Sequence, residues 1–200
     1  MNPQSDQNDS PSPKGVMTED YARDRTRKPS LSFRFKARAL ESIRAYEQHA
    51  SNASPPKLHL DFGAADGLCS KILHQGLGAE KTIGIEYSPE IAAFSKQAEL
   101  PPSCEIRVGD VFEEISPLAP SSVDVITALA FLEHVADPVN LFRRSLEILR
   151  PGGLFIATCP EPVWDHVSGS LGLHKDEHHE QEFTKQLFHT AAEQGGLSPV

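Results

Sequence analysis

The run Lys57-Leu58-His59-Leu60-Asp61-Phe62-Gly63-Ala64-Ala65-Asp66-Gly67 restricts the fold of this chain more than any other segment. It is a short, largely apolar stretch that ends on a carboxylate and breaks into a glycine-containing turn. That pattern reads as a buried strand over 57–62 followed by a helix over 68–75. A second apolar run, 81–86, closes on Ile83-Gly84-Ile85-Glu86 and again ends on an acid. Two strands joined through a helix pair in parallel, so both carboxyl ends face one crevice. Gly63 lets the backbone approach a ligand closely, and Gly67 opens the helix. Glu86, 23 residues after Gly63, is placed to accept hydrogen bonds from a ribose diol.

The rest of the chain repeats the alternation. Apolar residues Phe35, Ala39, Leu40, Ile43 and Tyr46 recur at helical spacing, which predicts a helix over 32–49 that covers the site. Ser88-Pro89 starts a helix expected to reach about residue 100, where Pro101-Pro102 stops it. Strands are expected over 104–108, 123–129 and 154–159. Asp137-Pro138 caps a helix to residue 150, Pro151-Gly152-Gly153 turns it into the fifth strand, and 184–194 is a last amphipathic helix. Strands alternating with helices specify an α/β fold: a Rossmann-like, doubly wound, mainly parallel sheet with helices on both faces.

Two nucleoside-binding readings compete for the turn. A dinucleotide site wants G-x-G-x-x-G, and the chain offers Gly63, Ala65 and Leu68 at those positions. Asp61 is also a poor neighbour for a pyrophosphate and suits a cationic or amino-bearing ligand better. The pattern Asp61-x-Gly63-x-x-x-Gly67 resembles motif I of the class I S-adenosylmethionine (SAM) methyltransferases. Leu132-Glu133-His134-Val135 and Leu149-Arg150-Pro151-Gly152-Gly153 resemble the small-molecule branch of that family, type 11, which includes quinone-biosynthesis enzymes. The family usually has a third glycine where Ala65 stands, and alanine is expected to be tolerated there with a negative φ.

The resemblance implies a SAM site built from Asp61, Gly63, Ala64, Gly67 and Glu86. Asp110 and Val111, after the third strand, would border the adenine; Asp110 is also a natural helix N-cap. Phe112 is a further candidate to pack on the ring. Carbonyls near Leu129, in the stretch 128–130, would receive the methionine amino group. His134 is the catalytic candidate, either as general base or as an organiser of the loop. An N-terminal arginine, Arg34 or Arg38, would meet the methionine carboxylate, and Tyr21 would close over the same place. The implied activity is methyl transfer to an O, N or C nucleophile of a small-molecule acceptor. The alternatives are a SAM-binding protein without catalysis and an NAD-dependent oxidoreductase.

Composition narrows the classes further. A net charge of −9 disfavours non-specific nucleic-acid binding. No run is long enough to span a bilayer. Cys69, Cys104 and Cys159 are scattered, which fits reduced thiols in a cytoplasm better than disulfides or zinc. His174, His178 and His179 lie in a polar stretch with Trp164, expected to form a substrate lid rather than a metal site. Residues 1–20 are expected to be a disordered tail and 21–200 one domain. The family's closing antiparallel hairpin is not seen after the last helix, so the domain is expected to be C-terminally incomplete.

Overall fold

The computed structural model describes residues 29–50, 54–158 and 185–200. In chain order the helices and strands are α1 Pro29–His49, β1 Leu58–Phe62, α2 Leu68–Leu77, β2 Lys81–Glu86 and α3 Pro89–Ala92, which runs on as a 3₁₀ turn, Ala93–Gln97. They continue as β3 Cys104–Val108, α4 Val111–Ile115, β4 Val123–Leu129, α5 Pro138–Ile148, β5 Leu149–Thr158 and α6 Lys185–Gln194. The strands form one parallel sheet in the order β3-β2-β1-β4-β5. The chain winds outward from β1 to β3 on one side, then crosses over to β4 on the other. That reversal between β1 and β4 is where doubly wound sheets open a crevice at their carboxyl edge.

Both faces of the sheet are covered. On one, Leu60, Phe62, Ile83, Ile85 and Ile126 cluster with Leu141 and Phe142 of α5, and with α4 and α6. On the other, Val125 meets Ala39, Ile43 and Tyr46 of α1 and Leu73 and Leu77 of α2. Strands buried on both sides carry little alternation of polarity, which is why β2 and β4 read as apolar runs. Each large side chain enclosed this way contributes roughly 1.5–3 kcal/mol. Asp124 fastens the opposite edge: its Oδ2 accepts the backbone N–H groups of Lys57 and Leu58 at 3.0 and 2.9 Å, and its Oδ1 is 2.7 Å from Arg150 Nε.

Three elements differ from the sequence expectation. Pro151-Gly152-Gly153 is not a turn between α5 and β5 but lies within β5, where the pairing jumps from Val123↔Leu149 to Val125↔Leu154. Gly152, at φ 77°, lets the strand kink there. Proline's missing N–H is tolerated because β5 is outermost among the described strands. The helix expected over 88–100 tightens to 3₁₀ geometry after Ala92. Helix α4 was anticipated only through Asp110 as an N-cap, without a range; Asp110 does cap it, accepting from the N–H groups of Phe112 and Glu113.

His59, on the central strand, is fully enclosed. Burial, and secondarily the nearby His74, push its imidazole pKa down to about 3. In an unfolded chain the same ring titrates near 6.5. The native state therefore favours the neutral ring: its contribution to stability is complete above pH ~6.5 and is withdrawn as pH falls through that value toward 3. The limiting slope is about 1.4 kcal/mol per pH unit. Urea unfolding between pH 7 and 4 should show the parent losing stability relative to a His59→Leu variant at about that slope once below pH ~6. A difference that does not change with pH would contradict the buried neutral ring.

Candidate active site

The candidate residues converge at the carboxyl ends of β1 to β4. Gly63 and Ala64 leave β1 by donating their N–H groups to the carbonyl of Ile85, at 2.9 and 3.0 Å, so the turn folds over the end of β2. Gly63 and Gly67 sit at φ 71° and 77°, left-handed conformations that glycine adopts without strain. Gly67 N-caps α2, and the buried Asp66 supports that start by accepting from the N–H of Leu68.

Ala65 corrects the sequence expectation. Its φ is 49°, not negative, so alanine keeps the left-handed conformation of the glycine usual there. Such a conformation costs a non-glycine residue about 1–2 kcal/mol. Glu86 holds it in place: Oε2 accepts from the N–H of Ala65 at 2.9 Å, while Oε1 accepts from the N–H of Ser88 at 2.9 Å. The carboxylate is buried at 7% exposure. Beside it, Tyr87 and Val108 leave apolar surface exposed at the ends of β2 and β3.

Asp61 is turned inward. Its oxygens accept from Ser70 Oγ and Thr127 Oγ1, each at 2.6 Å, and the residue is 2% exposed. These two bonds tie Asp61 to α2 and β4 behind the turn. Asp110 is half-buried as the cap of α4, and Val111 packs in the core. The N–H of Gly109 bonds the carbonyl of Glu86 at 2.9 Å, which brings the ends of β2 and β3 together.

After β4 the chain passes half-buried Leu129 and then Ala130, which like Ala65 sits at positive φ, 52°. The N–H of Ala130 reaches the carbonyl of Thr158 at 2.8 Å. A 3₁₀ turn, Leu132–His134, follows, with Glu133 buried and His134 half-buried. Of the four non-glycine residues at positive φ among the described residues, Ala65 and Ala130 flank the switch point, while Glu99 and Ser121 lie elsewhere. Phe131 was missed from the sequence. A Cβ on Gly63 would lie 2.7 Å from Phe131 Cδ2, so the glycine accommodates this ring across the crevice. The ring also packs edge-on to Phe62, with centroids 6.1 Å apart.

Arg34 and Arg38 lie on α1, which runs beside α2, with the Phe35 carbonyl 3.8 Å from Cys69 Sγ at the start of that helix. The Arg38 guanidinium carbon stands 5.7 Å from the Phe35 ring centroid. Among the described residues no group of His, Cys, Asp and Glu is arranged to hold a metal, and no helix is long and apolar enough to cross a membrane. Tyr21, Cys159, Trp164, His174, His178 and His179 lie outside the described residues.

A family model described as a methyltransferase domain matches residues 60–157, which include every loop of the crevice just described. Residues 60–157 are a class I SAM-dependent methyltransferase domain of the type 11 branch. The chain is 32% identical over 157 residues to a ubiquinone biosynthesis O-methyltransferase of Xanthomonas campestris, a match covering 74% of the chain and 64% of the relative. It thus spans somewhat under two thirds of that relative's length.

The fold is that of solved methyltransferase structures. A SAM-dependent methyltransferase from Archaeoglobus fulgidus superposes with a TM-score of 0.65 at 15% identity, over 90% of this chain and 74% of that one. The complex of the Haloferax volcanii Trm112 methyltransferase activator with a methyltransferase described as putative gives 0.68 at 20% identity, over 90% and 77%. The oxidoreductase alternative lapses with the family match. For the methyltransferase domain, replacing Glu86 by alanine should weaken SAM binding by roughly 1–3 kcal/mol in calorimetric titration, for the loss of charge-assisted hydrogen bonds. An unchanged dissociation constant in a folded variant would remove Glu86 from the site.

Proposed function

We propose that the chain transfers the methyl group of SAM to a nucleophile on a small molecule, with a hydroxyl as the favoured acceptor. The observation that carries this reading is the convergence of the Gly63 turn, Glu86, Asp110 and the Leu129–His134 loop on one crevice at the β1/β4 switch point, within a methyltransferase domain. The name of the Xanthomonas relative supports an oxygen acceptor over nitrogen or carbon.

The residues present fit the cofactor. Glu86 would take the ribose hydroxyls, and Asp110 and Val111 the adenine, with Tyr87 and Val108 as apolar walls. Gly63, Ala64 and Gly67 would line the methionine half, its amino group meeting carbonyls around Leu129 and its carboxylate meeting Arg34 or Arg38. Asp61 supports this end from behind the turn. SAM supplies a methyl group already activated on a sulfonium. The chain's own work is then to hold the acceptor in line, exclude water and dispose of one proton. The acceptor oxygen forms a bond to the methyl carbon as the carbon–sulfur bond breaks, and its proton passes to His134. S-adenosylhomocysteine and the methyl ether leave.

The test is a screen of small hydroxyl, amine and activated-carbon acceptors with SAM, read as S-adenosylhomocysteine formed alongside methylated product. One-to-one formation is expected with a hydroxyl compound. Tight SAM binding without turnover across the screen would favour the non-catalytic alternative. With an acceptor in hand, His134→Gln should lower kcat about 10²–10⁴-fold and leave SAM affinity nearly unchanged, and the parent's rate should fall in acid as the imidazole is protonated. Lost SAM affinity with an unaltered acid limb would make His134 a loop organiser instead.

A further inference from the structure

A buried polar chain runs under the sheet from the candidate site to the molecular surface. Histidine at position 59 occupies an inward position on the central strand and is fully enclosed. Both of its ring nitrogens are engaged: Nε2 lies 2.9 Å from Thr127 Oγ1 on β4, and Nδ1 lies 3.2 Å from Thr82 Oγ1 on β2. Thr82 Oγ1 is also 2.9 Å from His74 Nδ1 on α2, and His74 Nε2 is 3.0 Å from Ser103 Oγ. At the other end, Thr127 and Ser70 both reach Asp61.

Proton counting fixes the direction of every bond. An ionised Asp61 only accepts, so Thr127 donates its one hydroxyl proton to it. The Thr127 oxygen must then accept, which requires the proton of His59 on Nε2. A neutral imidazole has one N–H, so His59 Nδ1 accepts, and Thr82 donates to it. Thr82 has now used its proton, so His74 donates from Nδ1 and accepts at Nε2 from Ser103. Each group has one role, and all donors point toward Asp61. Burial lowers the pKa of both rings, which keeps each neutral with a single N–H.

The chain ends where the ligand loop is closed. Asp61 is the last residue of β1 on the face that α2 covers, and Ser70 lies in the first turn of α2. Their hydrogen bond therefore clasps residues 63–67 at both ends. We propose that His59 and His74 are positioning residues for the cofactor, holding Asp61 in the orientation that closes the glycine loop. This rests on the reading of the crevice as a SAM site, yet neither histidine lies in the crevice.

Two measurements test it. The first needs no ligand: long-range ¹⁵N–¹H correlation spectra of the apo-protein should show His59 locked with its proton on Nε2 and His74 with its proton on Nδ1. In Thr82→Val, His74 should give up that assignment. The second is SAM affinity. His59→Leu should weaken binding about tenfold or more, as expected for misplacing a charged acceptor, whereas His59→Gln, whose amide can both donate and accept, should stay within about threefold of the parent. If His59→Leu is too unstable to fold, Thr82→Val should show the same loss of affinity. Histidines in other tautomers, or a folded His59→Leu or Thr82→Val that binds SAM like the parent, would overturn the proposal. A parent that shows the two tautomers but does not bind SAM would contradict the function proposed for the crevice and leave the directed chain standing.

Discussion

The hydrogen bond from the Ala65 N–H to the Glu86 carboxylate holds the site together. It keeps a left-handed alanine in a conformation that alanine alone resists, and it ties the turn after β1 to the end of β2. Through its second oxygen and the N–H of Ser88, the same carboxylate fixes the start of α3. Without it the turn would relax, and the crevice would lose the wall that its β1 side presents. On the far side of that turn, Asp61 does the complementary work on β4 and α2 through Thr127 and Ser70. Two buried carboxylates, one on each central strand, thus define one loop.

The sheet order explains why these contacts collect where they do. With β1 central and the chain reversing between β1 and β4, only the carboxyl edge gathers loops from four strands. The opposite edge is closed by Asp124 with Arg150 and the first residues of β1. One edge is therefore built for rigidity and the other for ligand approach, a division that follows from right-handed parallel crossovers. Phe131 belongs to the second edge. Its ring lies against the bare Cα of Gly63, so the same missing side chain serves both the loop conformation and the packing of the β4 loop.

Much of this was legible in the sequence because it depends on local chemistry. Apolar runs closed by an acid mark β1 and β2, and Ser88-Pro89 and Asp137-Pro138 mark helix starts that the structure reproduces, each with its cap. Asp61, Glu86, Asp110 and Leu129 all lie at or beside strand ends, as expected. What was not legible depends on partners distant in the chain. The sign of φ at Ala65 is set by a carboxylate 21 residues away. Pro151-Gly152-Gly153 looks like a turn by composition, but pairing with β4 draws it into a strand. Phe131 looked like one more apolar residue before Leu132. The signal at His59 was present and unread: a histidine between Leu58 and Leu60, at an inward strand position, requires buried partners.

We infer that the crevice between the β1 turn and the β4 loop binds SAM. A crystal structure of the chain with S-adenosylhomocysteine tests it most directly. The ligand should lie at the β1/β4 switch point, with both ribose hydroxyls within hydrogen-bond distance of the Glu86 carboxylate and the Ala65 contact intact. A ligand bound elsewhere, or one whose ribose leaves Glu86 untouched, would contradict it.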